Sequence, residues 1–221
     1  MAVALVCGGG GALGGAIVDA LRARGDRIVV ADLHPPAAGD DVRAEALDLT
    51  KPDEVEALWQ RLAADGEGPQ WVVNATGGYR DGTVADTDPD TLDFLDNLNL
   101  RTAWWSCRSA ARHLPAGGAV VNVGSQAAVA GGTGTAAYAV TKAAVVRLTE
   151  VLAAEAGAQG IRVNAVLPSL IDTPANRATL PASVLAHAVP AAQIASVIAF
   201  LLSDAAAAVT GAIVPVYGLG A

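Results

Sequence analysis

A short apolar run over residues 2–7 breaks into four consecutive glycines, Gly8 to Gly11, and continues as Ala12-Leu13-Gly14-Gly15. The run is apolar at nearly every position, the pattern of a strand buried on both faces. The periodicity behind the glycines predicts a helix over 12–24, with Leu13, Ile17, Ala20 and Leu21 on one side. A second strand over 27–31 ends at Asp32. Few folds accommodate strand, glycine turn, helix, strand and acid in that order. The glycines permit positive φ and let a pyrophosphate approach the backbone and the helix N-terminus, and the acid lies where a carboxylate meets an adenosine ribose. A flexible N-terminal linker would explain the glycines but not the elements around them.

The same alternation continues along the chain. Strands are expected over 43–47, 70–74, 118–124, 161–167 and 212–216, and helices over 52–64, 90–113, 136–156 and 191–203. Pro52 suits the first turn of its helix. The segment 168–190 holds Pro168, Pro174, Pro181 and Pro190 without a long period and reads as a short lid over the site. In the 90–113 helix, Leu95, Leu98, Thr102 and Trp105 should face the core and Trp104 the outside, and His113 sits in the last turn as a cap rather than a catalyst. Strands apolar on both faces that alternate with helices make an α/β fold: a Rossmann-like doubly wound parallel sheet, strand order 3-2-1-4-5-6-7, with helices on both faces. One domain over 1–221 is expected.

Chemistry concentrates between Ser125 and Lys142. Ser125 ends an apolar strand, a Gly/Thr-rich loop follows, and Tyr138-Ala-Val-Thr-Lys142 opens a helix. Tyr138 and Lys142, at i and i+4, lie on one helical face. A hydroxyl, a phenol and an ammonium in one pocket suit proton transfer to a carbonyl oxygen, with Lys142 lowering the phenol's pKa. A Tyr/Lys pair at that spacing is also common on ordinary helix surfaces, so the pair alone decides nothing.

The net charge of −8 argues against nucleic acid and anionic membrane surfaces as partners. Cys7 and Cys107, each inside an apolar element, read as small buried hydrophobes of a reducing compartment. The N-terminus lacks the basic flank of a signal peptide, and no apolar run reaches membrane-spanning length, so a cytoplasmic location is expected. No metal-ligand pattern stands out.

Together Gly8, Gly14, Asp32, Asp48, Asn74-Ala75-Thr76-Gly77, Asn99, Ser125, Tyr138, Lys142, Pro168 and Thr173 resemble the short-chain dehydrogenase/reductase family over essentially the full length. The resemblance implies a single Rossmann domain that assembles as a homotetramer or homodimer. It implies Tyr138 as the acid/base and Lys142 as the residue that holds the nicotinamide ribose hydroxyls. Ser125 becomes the substrate-orienting hydroxyl and Asn99 the anchor of a proton-relay water. It also implies cofactor contacts from Gly8, Gly11, Ala12, Leu13, Gly14, Asp32, Leu33, Asp48, Leu49, Asn74, Ala75, Thr76, Pro168 and Thr173, the last to the carboxamide. Ala12 and Thr76 stand where many members carry glycine. The implied partner is a small-molecule carbonyl or alcohol substrate. Asp32, with no Lys or Arg in the glycine turn and Leu33 and His34 next to it, points to NAD(H), with NADP(H) as the alternative. Residues 8–14, 75–79 and 167–177 also resemble dihydropteridine reductase, which sets an imine or quinonoid reductase as the runner-up. A catalytically silent NAD(H)-binding sensor is the reading from another class.

Overall fold

The structure is a computed structural model and describes residues 1–219. In chain order its elements are β1 (Val3–Cys7), α1 (Ala12–Ala23), β2 (Arg27–Asp32), β3 (Val42–Ala46), α2 (Pro52–Ala64), β4 (Trp71–Asn74) and α3 (Pro89–Leu95). A π-helical stretch, Asp96–Arg101, leads into α4 (Thr102–His113), β5 (Ala119–Val123), α5 (Ala136–Ala156) and β6 (Arg162–Pro168). The chain continues through β7 (Ile171–Asp172), α6 (Pro174–Thr179), α7 (Ala182–Leu185), β8 (Val189–Pro190), α8 (Ala191–Leu202) and β9 (Ile213–Val216).

Seven strands form one parallel sheet in the order β3-β2-β1-β4-β5-β6-β9. The expected doubly wound order is present. Its last strand is the chain's ninth because residues 169–190 contribute a small parallel pair of their own, β7 with β8. The continuous apolar runs follow from burial on both faces. Leu5, Val29, Val72, Val120 and Val163 point to one side, where they meet Leu58 and Leu62 of α2, Cys107 of α4 and Leu152 of α5. Their neighbours Ala4, Val6, Ile28, Val30, Val73 and Val121 point to the other, against Ile17 and Leu21 of α1 and Ile194, Ile198 and Leu202 of α8. A period of two along each strand thus feeds two separate cores.

Two expectations, the unbroken helix over 90–113 and His113 as a cap, are corrected. The single helix over 90–113 is interrupted: at the π-helical stretch the Thr102 N–H donates to the Asn97 carbonyl, five residues back, and Leu98 is only half-buried. The segment 168–190 carries the short helices α6 and α7. His113 does not act as a helix cap. Its Nε2 lies 2.6 Å from Glu56 Oε1 and its ring packs 5.7 Å from that of Trp59, so it ties α4 to α2. Trp104 is outward-facing, as expected, and 48% exposed. Among the described residues no helix is long and apolar enough to cross a membrane.

The edge strand β9 is held by side chains of β6. Asn164, fully buried, donates to the Val209 carbonyl at 2.9 Å and accepts from the Ala212 N–H at 3.0 Å. Arg162 Nη1 donates to the Leu201 carbonyl at 2.6 Å, which fixes the end of α8. Asn164→Ala strips partners from two backbone groups, each worth about 1–3 kcal/mol when left unmet. The variant should lose roughly 2–4 kcal/mol of unfolding free energy in a urea titration, with its far-ultraviolet spectrum retained.

Candidate active site

The site lies at the carboxyl ends of β1, β2, β4 and β5. At the first of these Gly8 adopts φ +86°, and a Cβ there would sit 2.5 Å from the Thr76 nitrogen. A Cβ on Gly14 would come within 2.1 Å of the Gly8 carbonyl oxygen. The turn is therefore backbone packed on backbone, and it opens α1. That helix begins at Gly11 with no side-chain cap and no acid in its first turn, so Ala12 and Leu13 offer its N-terminus unblocked. Asp32 closes the far side: its carboxylate accepts from the Gly10 N–H at 3.0 Å and the His34 N–H at 2.9 Å.

Beside the turn is a cleft of about 270 Å³. Gly8, Gly11, Asp32, Leu33, Asp48, Leu49, Ala75 and Thr76 line it, together with Leu47, Thr50, Gly77, Leu98 and Thr102. The first eight are sequence-expected cofactor contacts. Of the other five, Gly77 stood in the Asn74–Gly77 motif, Leu98 and Thr102 read as core residues of their helix, and Leu47 and Thr50 carried no signal of their own. Asp48 is set in place by accepting from the Thr50 N–H at 2.9 Å and the Thr50 hydroxyl at 2.7 Å. The Thr76 hydroxyl is buried without a hydrogen-bond partner. An uncapped helix N-terminus, a turn that excludes side chains and a carboxylate at the end of β2 fit a dinucleotide.

Other expected contacts lie elsewhere. The Asn74 amide donates to Asn122 Oδ1 at 2.7 Å and is not among the cleft-lining residues. The Thr173 hydroxyl oxygen accepts from the Asn176 N–H at 3.2 Å and caps α6, and Pro168 is buried at the end of β6.

Ser125 follows β5 and Tyr138 and Lys142 lie in the first two turns of α5. The Ser125 hydroxyl oxygen accepts from the Ala127 N–H at 3.2 Å, and the hydroxyl lies close enough to the Tyr138 phenol to stabilise its charged form. Burial pushes the Tyr138 phenol up from its ordinary value, the nearby Ser125 hydroxyl pulls it back in part, and the neighbouring Tyr79 phenol adds to the rise. The expected lowering by Lys142 is therefore not what the chain by itself produces: desolvation dominates. Lys142 is only 4% exposed, and its ammonium donates to the Val123 carbonyl at 3.0 Å. Burial alone pushes its pKa down to about 8.

Asn99, in the π-helical stretch, is 1% exposed. Its Oδ1 accepts from the Gly78 N–H at 2.9 Å, and its Nδ2 donates to the Gly78 carbonyl at 3.1 Å and the Thr141 hydroxyl at 3.2 Å. Asn99 Oδ1 and Lys142 Nζ converge on Gly77, where a Cβ would lie 2.9 Å from one and 3.0 Å from the other. The loop after β4 thus joins the cleft to Tyr138. It also brings in a residue that the sequence marked only as the end of the 75–79 stretch: the Tyr79 and Tyr138 rings pack edge-to-face, centroids 5.1 Å apart and planes at 74°. Among the described residues no group of His, Cys, Asp and Glu side chains could hold a metal ion.

Comparison with known proteins agrees with this geometry. A family model described as enoyl-(acyl carrier protein) reductase matches residues 10–218. Galactitol 2-dehydrogenase of Rhizobium johnstonii is 37% identical over 96% of this chain and 92% of its own. The 3-oxoacyl-(acyl-carrier-protein) reductase of Vibrio cholerae is 30% identical over 98% and 96%. Among solved structures, a short-chain dehydrogenase from Burkholderia cenocepacia in complex with NADP is 30% identical, with a TM-score of 0.87 over 97% of this chain and 96% of that one. A blue fluorescent protein from a metagenomic library in complex with NADPH is 28% identical, with the same TM-score over 100% and 98%. With a doubly wound sheet, a glycine turn at its carboxyl edge and relatives matched over nearly their whole length, the chain belongs to the short-chain dehydrogenase/reductase family.

Proposed function

We propose that this chain, as one dinucleotide-binding domain with residues 168–190 as its substrate lid, interconverts a small-molecule carbonyl compound and its alcohol, with Tyr138 as acid/base. The observation that carries the reading is the Tyr138 phenol near the Ser125 hydroxyl, one helical turn from a buried Lys142 whose ammonium meets Gly77 of the dinucleotide cleft. A bound nicotinamide supplies or takes up the hydride. Ser125 and Tyr138 both direct hydroxyls at the substrate oxygen. A phenol pushed up by burial stays protonated at neutral pH, which favours proton donation and hence carbonyl reduction. Lys142 sits where it can meet ribose hydroxyls, and Asn99 braces the loop facing it. The imine or quinonoid reductase reading draws on residues 75–79 and 167–177. A pteridine imine needs less polarisation than a ketone, so a Ser125 hydroxyl near Tyr138 favours the carbonyl. A silent sensor has no use for that hydroxyl. The two buried free thiols suit the reducing environment of the cytoplasm.

Tyr138→Phe keeps the ring and its contact with Tyr79 and removes only the proton. It should lower kcat by on the order of 10²-fold or more at nearly unchanged NADH affinity, whereas Lys142→Ala should impair both. Turnover by Tyr138→Phe at near wild-type rate, measured at saturating NADH, would overturn the assignment.

NAD(H) is proposed over NADP(H). A 2′-phosphate would meet the Asp32 carboxylate, and neither the glycine turn nor Leu33 or His34 offers it a Lys or Arg. A discrimination of about tenfold requires ~1.4 kcal/mol, well within reach of like-charge repulsion at close range. Calorimetric titrations with NADH and NADPH should differ by at least that factor, and equal or tighter NADPH binding would refute the preference.

A homo-oligomer, tetramer before dimer, is proposed through the outer faces of α4 and α5. Trp104 (48% exposed), Val140 (67%) and Val151 (45%) leave apolar surface there. Light scattering at micromolar concentration should report a multiple of the 22.1 kDa chain, and a monomer mass would sink the proposal.

A further inference from the structure

The Tyr138 phenol has one close neighbour that the proposed reaction does not use. Tyr79, on the loop after β4, packs its ring edge-to-face with that of Tyr138, centroids 5.1 Å apart. Tyr79 is 59% exposed and Tyr138 half-buried, so the Tyr79 ring occupies part of the space through which water would otherwise reach Tyr138. The loop is fastened on both sides of that ring. The Gly78 N–H donates to Asn99 Oδ1 at 2.9 Å, and the Gly78 carbonyl accepts from Asn99 Nδ2 at 3.1 Å. The Gly82 N–H donates to the Gly134 carbonyl at 2.9 Å, and the Gly82 carbonyl accepts from the Ala136 N–H at 3.0 Å, at the start of the helix that carries Tyr138.

That contact bears on a proton. A phenolate is stabilised by water, by hydrogen-bond donors and by cations, and it is destabilised by apolar surface and by nearby negative charge. An aromatic ring in place of water removes the first, and the Tyr79 phenol contributes to the last. Both act in the direction found at Tyr138, where burial is the largest cause of the rise, Tyr79 adds to it and the Ser125 hydroxyl opposes it. The charged groups around α5 are engaged elsewhere. The Lys142 ammonium donates to the Val123 carbonyl. The short helical turn Gln126–Ala128 that packs on α5 has no titratable side chain. Arg80 lies over the Phe94 ring, 3.9 Å from its centroid, and Arg108 over that of Trp105. Asp96 pairs with Arg101, Asp172 with Arg177, Glu150 with Arg147 and Glu56 with His113, while Asp90, Asp93 and His187 are exposed.

We propose that Tyr79 is a positioning residue for the site's acid: its ring keeps water from the Tyr138 phenol and so sets the pH range over which that phenol holds the proton it donates. The inference deepens the reading of Tyr138 as acid/base and, for its effect on turnover, rests on it. Carbonyl reduction needs the protonated phenol and alcohol oxidation the phenolate. With Tyr79 in place, reduction extends to higher pH. Without it water reaches the phenol, the proton leaves at lower pH, and the alkaline fall of the reduction rate comes earlier.

Tyr79, Tyr138 and Tyr217 are the chain's three tyrosines, so the ionisation of each can be followed separately. The full chain is isotope-labelled at tyrosine Cζ, and the Tyr138 resonance is assigned by its loss in Tyr138→Phe. A pH titration followed by nuclear magnetic resonance should place the Tyr138 midpoint about one pH unit lower in Tyr79→Ala than in the unsubstituted chain. Tyr79→Phe keeps the wall and should stay closer to the unsubstituted chain. An unchanged or raised midpoint in Tyr79→Ala overturns the proposal. If the fold gives way before the midpoint, the ionised fraction of Tyr138 is compared at the highest pH at which both chains keep their far-ultraviolet spectrum. A larger fraction in Tyr79→Ala then upholds the proposal, and an equal or smaller one overturns it. The second readout is kcat/KM against pH for the NADH-dependent reduction of benzaldehyde, whose alkaline fall should move down by the same amount. A lowered midpoint with an unmoved alkaline fall upholds the shielding by Tyr79 and counts instead against Tyr138 as the acid. Where benzaldehyde is not reduced, the midpoint decides alone.

Discussion

Everything at the carboxyl edge of the sheet depends on how closely backbone approaches backbone at the first turn. Gly14 lies so near the Gly8 carbonyl, and Gly8 so near Thr76, that one added Cβ at either point would overlap main-chain atoms. These contacts join three pieces of chain: the end of β1, the start of α1 and the loop after β4. Because backbone atoms cannot retreat as a flexible side chain can, the contact fixes where α1 begins and where the β4 loop leaves the sheet. The cleft is the space left over. Its floor is glycine and its far wall is Asp32, whose carboxylate is bonded back to Gly10 on the same turn. Binding geometry and fold are here one set of contacts.

The ammonium of Lys142 marks the opposite choice, a group placed at a cost in stability. It is buried, bonded to the Val123 carbonyl, and has no ion-pair partner within reach among the described residues. Its pKa falls from 10.5 to about 8, which corresponds to a penalty on the order of 3 kcal/mol for keeping the charge in the folded chain. The sign follows from proton counting. Between about 8 and 10.5 the unfolded chain holds a proton that the folded chain has released, so this group's contribution makes stability rise with pH across that window, and the full penalty applies below it. A hydrophobic side chain of similar length would relieve the penalty, though it would leave the Val123 carbonyl unmet. The position is better explained by what an ammonium does beside Tyr138 than by what it does for the fold.

Much of this was legible in the sequence because it rests on local rules. Continuous apolar runs gave the buried parallel strands. The glycines gave the turn, and the i,i+4 spacing put Tyr138 and Lys142 on one face. What was not legible depends on tertiary contact. The π-helical stretch that seats Asn99 has no pattern distinguishing it from α-helix. That the Asn74 amide would bond to Asn122 on the neighbouring strand, leaving its own Oδ1 unpartnered, could not be read from its place at a strand end. His113 looked like a helix cap from its position in the last turn, and only packing brought Glu56 to it. The direction of the Tyr138 shift was missed for the same reason. Proximity to a cation can be inferred from spacing, but desolvation cannot.

Asn99 shows how these local and distant constraints meet. A lone buried carboxamide would be expensive, but this one uses both its oxygen and its nitrogen on Gly78 and its nitrogen again on Thr141. It therefore clamps the loop after β4 to the helix that carries Tyr138 and Lys142. Gly82 repeats the connection further along, through backbone bonds to Gly134 and Ala136. With one attachment on either side of Tyr79, the loop cannot swing without breaking hydrogen bonds, which helps to hold the contact between the two phenols. Tyr79 and the helix that carries Tyr138 are thus held by one hydrogen-bonded frame, and a change to either should be felt at the other.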